Sequence, residues 1–168
     1  VLDLARASDL VIIVTGEESL ENVDAAVTMR RDATLGIRTR DCAPICFGDG
    51  TRIGIAHVGW QGYSLGLIEK MLQYFNKDTL VVYVGPFLHS FEIKKDFCYD
   101  QLMQKSESAE WIVENEDGTL TFEFKKAVAA LLPENTIYDE RDTGTDLSLP
   151  SHRRDKNSKG FLTTVSFA

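Results

Sequence analysis

Apolar residues fall in short, β-branched runs along the first third of the chain, too closely spaced for a regular series of strand–helix–strand units. Asp9 to Gly16 reads as a buried strand stopped by its glycine, and Glu17 to Asn22 as a polar loop. Ala25 to Met29 and Leu35 to Thr39 read as short strands around the charged turn Arg30-Arg31-Asp32. Two stronger strands follow, Ala43 to Gly48 and Thr51 to Val58, joined by Asp49-Gly50, the favoured chemistry for a two-residue hairpin turn. Ser64 to Phe75 carries Leu65, Ile68, Leu72 and Phe75 at helical spacing, with Asn76 at its end. Leu80 to Val84 predicts a strand running into Gly85-Pro86. A helix is expected over Lys94 to Lys105, with Phe97, Leu102 and Met103 as core contacts. A short strand at Trp111 to Val113, a turn at Glu116 to Gly118 and a strand from Leu120 come next. A helix from Glu123 to Leu132 then ends at Pro133. Residues 139–160 are polar and loop-like, and Phe161 to Phe167 is a last strand. The pattern is α+β, a single domain over 1–168.

The hairpin permits a register argument. With Asp49 and Gly50 as the turn, facing residues have numbers summing to 99, so Cys42 lies directly across from His57. Facing residues place their Cβ atoms about 4.5–5.5 Å apart on one face, close enough to share a metal or for an imidazole to activate a thiol. Cys46 shares this face but sits about 13 Å along the strand, beyond the reach of a bridge or a common metal. A one-residue bulge, for which Pro44 is a candidate cause, would turn Cys42 and His57 to opposite faces. His57 opens His57-Val58-Gly59-Trp60-Gln61-Gly62, a glycine-flanked strand-to-helix junction where backbone N–H groups can approach a ligand. The other histidines, His89 and His152, fall at element ends or in loops, and none of the three lies on a core stripe.

Composition narrows the classes. A chain of 168 residues, 43% hydrophobic and 26% charged, is one globular domain's worth, which excludes a disordered chain and a disulfide-stapled miniprotein. Its longest apolar run, Ala127 to Leu132, is far too short to span a membrane, and Asp3, Arg6 and Asp9 interrupt any leader. The first residue is Val1 rather than Met, so residues are expected to be missing from the front. Acidic residues outnumber basic ones 26 to 18, a net charge of −8 that disfavours nucleic acid. Arg153, Arg154, Lys156 and Lys159 form a local basic cluster suited to one anion or to a solvated loop. Three cysteines cannot all pair, and a reducing cytoplasm fits them best.

Four segments carry a resemblance: Thr39-Arg40-Asp41-Cys42-Ala43-Pro44, His57 to Gly62, Val84-Gly85-Pro86 and Ser151-His152-Arg153-Arg154. Together they resemble the multicopper polyphenol oxidase-like (laccase-domain) family, also called the peptidoglycan editing factor or purine nucleoside phosphorylase family. The first two are similar to its "ADCxP" and "HAGWRG" signatures, in the usual order and near the usual separation. The resemblance implies a four-layer α/β/β/α sandwich with mixed sheets, related to the cytotoxic necrotizing factor fold. It implies zinc held by His, Cys and His, of which Cys42 and His57 match two. It further implies phosphate attack on the ribosyl carbon of a purine nucleoside, or adenosine deamination. Asp41, Gln61, His152 and Arg153 then become the candidate substrate-binding residues.

The chain departs from the pattern at three places. Arg6 stands where the first histidine ligand is expected, the segment before that motif is absent, and Gln61 replaces the arginine of the second signature. The expectation is a zinc-dependent nucleoside enzyme with a weak or partial metal site and impaired turnover, unless His89 or His152 supplies the third ligand. Two alternatives stay open: a binding protein that kept the fold without chemistry, and a metal-free hydrolase with Cys42 as nucleophile and His57 as base.

Overall fold

The structure is a computed structural model that describes residues 11–14 and 23–168. Its centre is a six-stranded mixed sheet built from β1 (Val11–Ile13), β2 (Ala25–Thr28), β4 (Ala43–Gly48), β5 (Ile53–Val58), β6 (Val81–Val84) and β10 (Ile137–Tyr138), in the order β1-β2-β5-β4-β6-β10. A second, two-stranded antiparallel sheet pairs β3 (Thr34–Thr39) with β11 (Phe161–Ser166). A third holds β7 (Phe91–Ile93), β9 (Leu120–Phe122) and β8 (Ile112–Glu114). The α+β class with mixed sheets is therefore as expected.

Alternation along the hairpin explains the layering. Odd-numbered β4 residues and even-numbered β5 residues, among them Ile45, Phe47 and Ala56, face a large core covered by the helices. Cys46, Ile53 and Ile55 face a smaller core closed by Leu35 and Ile37 of β3. Both strands are internal, β4 between β5 and β6 and β5 between β2 and β4, and with a core on each side the hairpin is buried on both faces.

The hairpin's register differs from the sequence expectation. Pro44, not Cys42, lies opposite His57, and Ala43 pairs with Val58, so facing numbers sum to 101. The turn residues are Gly50 and Thr51: Asp49 N donates to Arg52 O at 3.2 Å, and Gly50 takes φ +84°, which an L side chain rarely adopts. Asp49 instead serves as the cap, its carboxylate accepting from Thr51 N, Thr51 Oγ1 and Arg52 N. Moving a turn by one residue changes the sum by two, so each side chain keeps its face. Cys42 shifts to a position facing Gly59.

The long helix expected over Ser64 to Phe75 is two short ones, α1 (Trp60–Ser64) and α2 (Leu67–Leu72). Gly66, at φ +78°, breaks them. Of the expected stripe Ile68 and Phe75 are buried, while the break turns Leu65 outward and adds Leu67 and Met71 to the core. α3 (Phe97–Gln104) starts at the Asp96 cap, and of its three expected core residues only Leu102 is buried. A 3-10 turn at Ser106–Trp111 precedes β8, and α4 (Phe124–Leu131) follows β9. Strands β7 and β10 lie outside the sequence expectation, being too short to show a period. At the other end, Ile13 of β1 is exposed, and residues 9–10 and 15–16 of the expected first strand, with the Glu17 to Asn22 loop, lie outside the described residues. No helix among the described residues is long and apolar enough to cross a membrane.

Candidate functional site

Cys42 and His57 meet where β4 begins and β5 ends. Because Cys42 faces Gly59, it is the diagonal same-face neighbour of His57, close enough for its sulfur to favour the charged imidazole. The approach depends on Gly59, where a Cβ would come within 3.0 Å of the Cys42 sulfur. β2 supplies the third member. Asp24 precedes Ala25, which pairs with Ala56, so Asp24 sits across from His57 on the side away from β4. His57 N donates to Asp24 O at 2.7 Å, and Asp24 Oδ1 lies 3.4 Å from His57 Nδ1. That separation is an ion-pair contact rather than a well-formed hydrogen bond. The Asp24 carboxylate is almost wholly enclosed, at 1% exposure.

Charge at the imidazole follows from these neighbours. Burial disfavours its cation, but Asp24 and the Cys42 sulfur more than offset this and lift the His57 pKa from 6.5 to about 10. The other two thiols lie in apolar surroundings. Burial pushes Cys46 up to about 12 and Cys98 up to about 11, and all three cysteines are free. At neutral pH a thiol reagent is therefore expected to modify Cys42 about tenfold faster or more than Cys46 or Cys98. Peptide mapping after brief alkylation checks this, and equal labelling of the three would remove His57 as an activator.

This pair lies in an open cleft of 1120 Å³. Trp60, Phe91 and Phe124 give it aromatic walls, and Arg38, Arg40, Arg153, Lys156 and Lys159 line it with positive charge. Asp41 and His152 also line it. Asp41 organises the far wall: its carboxylate accepts from Thr143 Oγ1 at 2.9 Å and from Arg153 N at 3.1 Å, pinning the 139–160 segment to the start of β4. The guanidinium of Arg153 lies over the Phe91 ring, 4.6 Å from its centre.

Not every candidate gathers here. Gln61 does not line the cleft, and its carbonyl is taken by Leu65 N and Ser64 Oγ. Nor does Arg154, whose guanidinium braces the carbonyls of Thr143, Asp146 and Leu149. His89 is outside the lining as well, edge-on to Phe87 with burial and Lys125 holding its pKa below the usual value.

Among the described residues no group of three or more His, Cys, Asp or Glu is arranged to hold a metal ion. At His57 the Nδ1 already lies 3.4 Å from the Asp24 carboxylate, and Cys42 is the other donor beside the ring. Arg6, at the expected place of a first ligand, lies outside the described residues, and a guanidinium is no ligand at neutral pH. These residues thus fall one short of the three that a catalytic zinc takes.

A family model described as multi-copper polyphenol oxidoreductase laccase matches residues 6–167. The chain belongs to this family. Across 98% of its length it is 31% identical to a purine nucleoside phosphorylase of Aquifex aeolicus, of which it covers 81%. It is similar over 56 residues, at 39% identity, to an adenosine deaminase from an unknown prokaryote, covering 32% of this chain and 21% of that one. The fold matches that of the Bacillus licheniformis hypothetical protein YfiH, with a TM-score of 0.84 at 20% identity, over 99% of this chain and 74% of that one. The family description names copper, while the donors gathered here are one thiol and one imidazole.

Asp24, the aromatic walls and Arg38 lie outside the sequence expectation. Asp24 left one trace there: a lone acid at the head of the apolar run Val23 to Val27, where a buried charge needs a partner.

Proposed function

We propose that the cleft binds a purine nucleoside and cleaves its glycosidic bond by phosphorolysis. The observation that carries this reading is an imidazole favoured in its charged form by a buried carboxylate, inside a cleft that offers both aromatic walls and cations. The name of the Aquifex aeolicus relative supports it. Trp60, Phe91 and Phe124 offer flat apolar surface to the base. Arg153, already oriented by Phe91 and Asp41, and His152 hold the phosphate. A phosphate oxygen forms a bond to the ribosyl carbon as its bond to the base nitrogen breaks. The electron pair leaves with the base, and His57 supplies the proton that makes it a neutral leaving group. The phosphate's proton restores His57, and the products are free base and ribose 1-phosphate.

Two donors support at most a weak zinc site, so no step above is routed through a metal. Metal content after dialysis tests that expectation. For the reaction, free base is expected to appear from inosine or adenosine only with phosphate present. Arg153→Ala should raise the KM for phosphate about tenfold, since a charge-assisted contact is worth that much. Base release at the same rate without phosphate would overturn phosphorolysis.

One observation favours a second reading. Cys42, His57 and Asp24 follow the order nucleophile, base and orienting carboxylate of a thiol hydrolase. An acyl-enzyme trapped on Cys42, with no base released from nucleosides, would favour it.

A further inference from the structure

Four cations of the cleft have no part in the reaction above. Arg38 belongs to β3 and Arg40 to the turn before Cys42, while Lys156 and Lys159 lie in the loop before β11. Hydrogen bonds draw them together: Arg38 donates to Gly160 O at 3.1 Å, and Arg40 to Lys156 O at 3.0 Å and Ser158 O at 3.4 Å. Each arginine keeps further N–H donors to spare.

None of the four, nor Arg153, is in an ion pair among the described residues. Elsewhere several cations face acids, Arg30 with Asp32, Lys105 with Glu69 and Arg141 with Asp139 among them, and what sets these five apart is that they line one cleft in which Asp41 is the acid. Asp41 is in no ion pair with any of them and offsets only one of the five charges. In a chain with eight more acids than bases, unpaired positive charge has been gathered at one rim. Like charges held together repel one another unless an anion joins them.

A nucleoside is neutral, and one inorganic phosphate is served by Arg153 and His152. A phosphate monoester would add about −1.5 to −2 of charge at neutral pH. The cleft's 1120 Å³ is above the range of about 300–1,000 Å³ typical of small-molecule sites, which leaves room for a second anion. We propose that the cleft's preferred ligand is a purine nucleoside bearing its own phosphate, a nucleotide whose phosphate sits among Arg38, Arg40, Lys156 and Lys159. The inference rests on the nucleoside reading given above and specifies the substrate class of the same site.

Calorimetric titration of the full chain with adenosine and with adenosine 5′-monophosphate tests it. At low ionic strength the monophosphate is expected to bind about tenfold or more tightly than adenosine, an advantage that shrinks in about 0.5 M salt. The doubly substituted Lys156→Ala, Lys159→Ala protein should lose most of that advantage, with adenosine affinity changed less than about twofold. These lysines are exposed loop residues, so the fold does not depend on them. The advantage should also persist with saturating inorganic phosphate present.

Equal affinity for the two ligands would overturn the proposal. So would an advantage erased by inorganic phosphate, which would make the rim the co-substrate's own site, or one undiminished in the double variant. Phosphate-dependent base release without any nucleotide preference would sink this inference and keep the nucleoside reaction. Nucleotide preference without base release from nucleoside or nucleotide would do the reverse.

Discussion

Asp24→Asn is expected to lower kcat by about 10²-fold or more while leaving the KM for the nucleoside within about threefold. The carboxylate touches no substrate; it acts through His57. It lies 3.4 Å from Nδ1 and holds positive charge on a ring that burial would otherwise neutralise. An asparagine of the same shape keeps the backbone contact from His57 N but removes the negative charge. The His57 pKa then falls from about 10 toward its ordinary value, with the Cys42 sulfur left alone to oppose burial. With proton donation as its role, the variant should lose activity as pH rises through that lowered value, where the native protein is still protonated. NMR titration of His57 in both proteins, alongside kcat against pH, measures the shift directly. A variant with lower kcat but an unmoved His57 titration would make Asp24 a packing residue only. Unchanged kcat would remove His57 from proton transfer altogether.

The sequence shows the partnership of Cys42 and His57 but not that of Asp24, and the difference is physical. A hairpin ties β4 to β5 through a turn of a few residues, so its register can be counted from one dipeptide. Counting from Asp49-Gly50 placed the turn one residue early, since Asp49 is the capping carboxylate and Gly50 the first turn residue. Parity survives the error, so Cys42, Cys46 and His57 keep the shared face expected of them, with Ile53 and Ile55 beside Cys46 and with Ile45, Phe47 and Ala56 on the other face. β2 reaches β5 across residues 29–52, a connection with no short turn to count from, so the pairing that brings Asp24 to His57 was out of reach. The same holds for Arg38 with Gly160 and Arg40 with Lys156, which meet only because β11 returns from the far end of the chain to pair with β3. The helix after the site failed for a local reason. Gly66 can be tolerated within a helical period or can break it, and only its left-handed backbone shows which.

Acid should expose the value of the turn that sets this register. The Asp49 carboxylate accepts from Thr51 N, Thr51 Oγ1 and Arg52 N, and its second oxygen from Asn76 N at 3.0 Å, joining the hairpin to the end of the α2 segment. Burial raises its pKa, but these hydrogen bonds outweigh it and bring the value from 3.8 down to about 2. A carboxylate held below its unfolded pKa stabilises the fold fully above that unfolded value. The contribution fades as pH falls through the folded value, here between about pH 4 and pH 2. The shift corresponds to about 2 kcal/mol. Asp49→Asn is therefore expected to unfold about 4–8 °C lower than the native protein at pH 7. The two should draw together as pH falls to 2 and meet below it, where Asp49 too is protonated. Asp32, Asp117 and Asp146, also held low by their neighbours, titrate in both proteins and cancel in the comparison. A gap that stayed constant from pH 7 to pH 2 would assign the loss to the shape of the turn rather than to the charge of its cap.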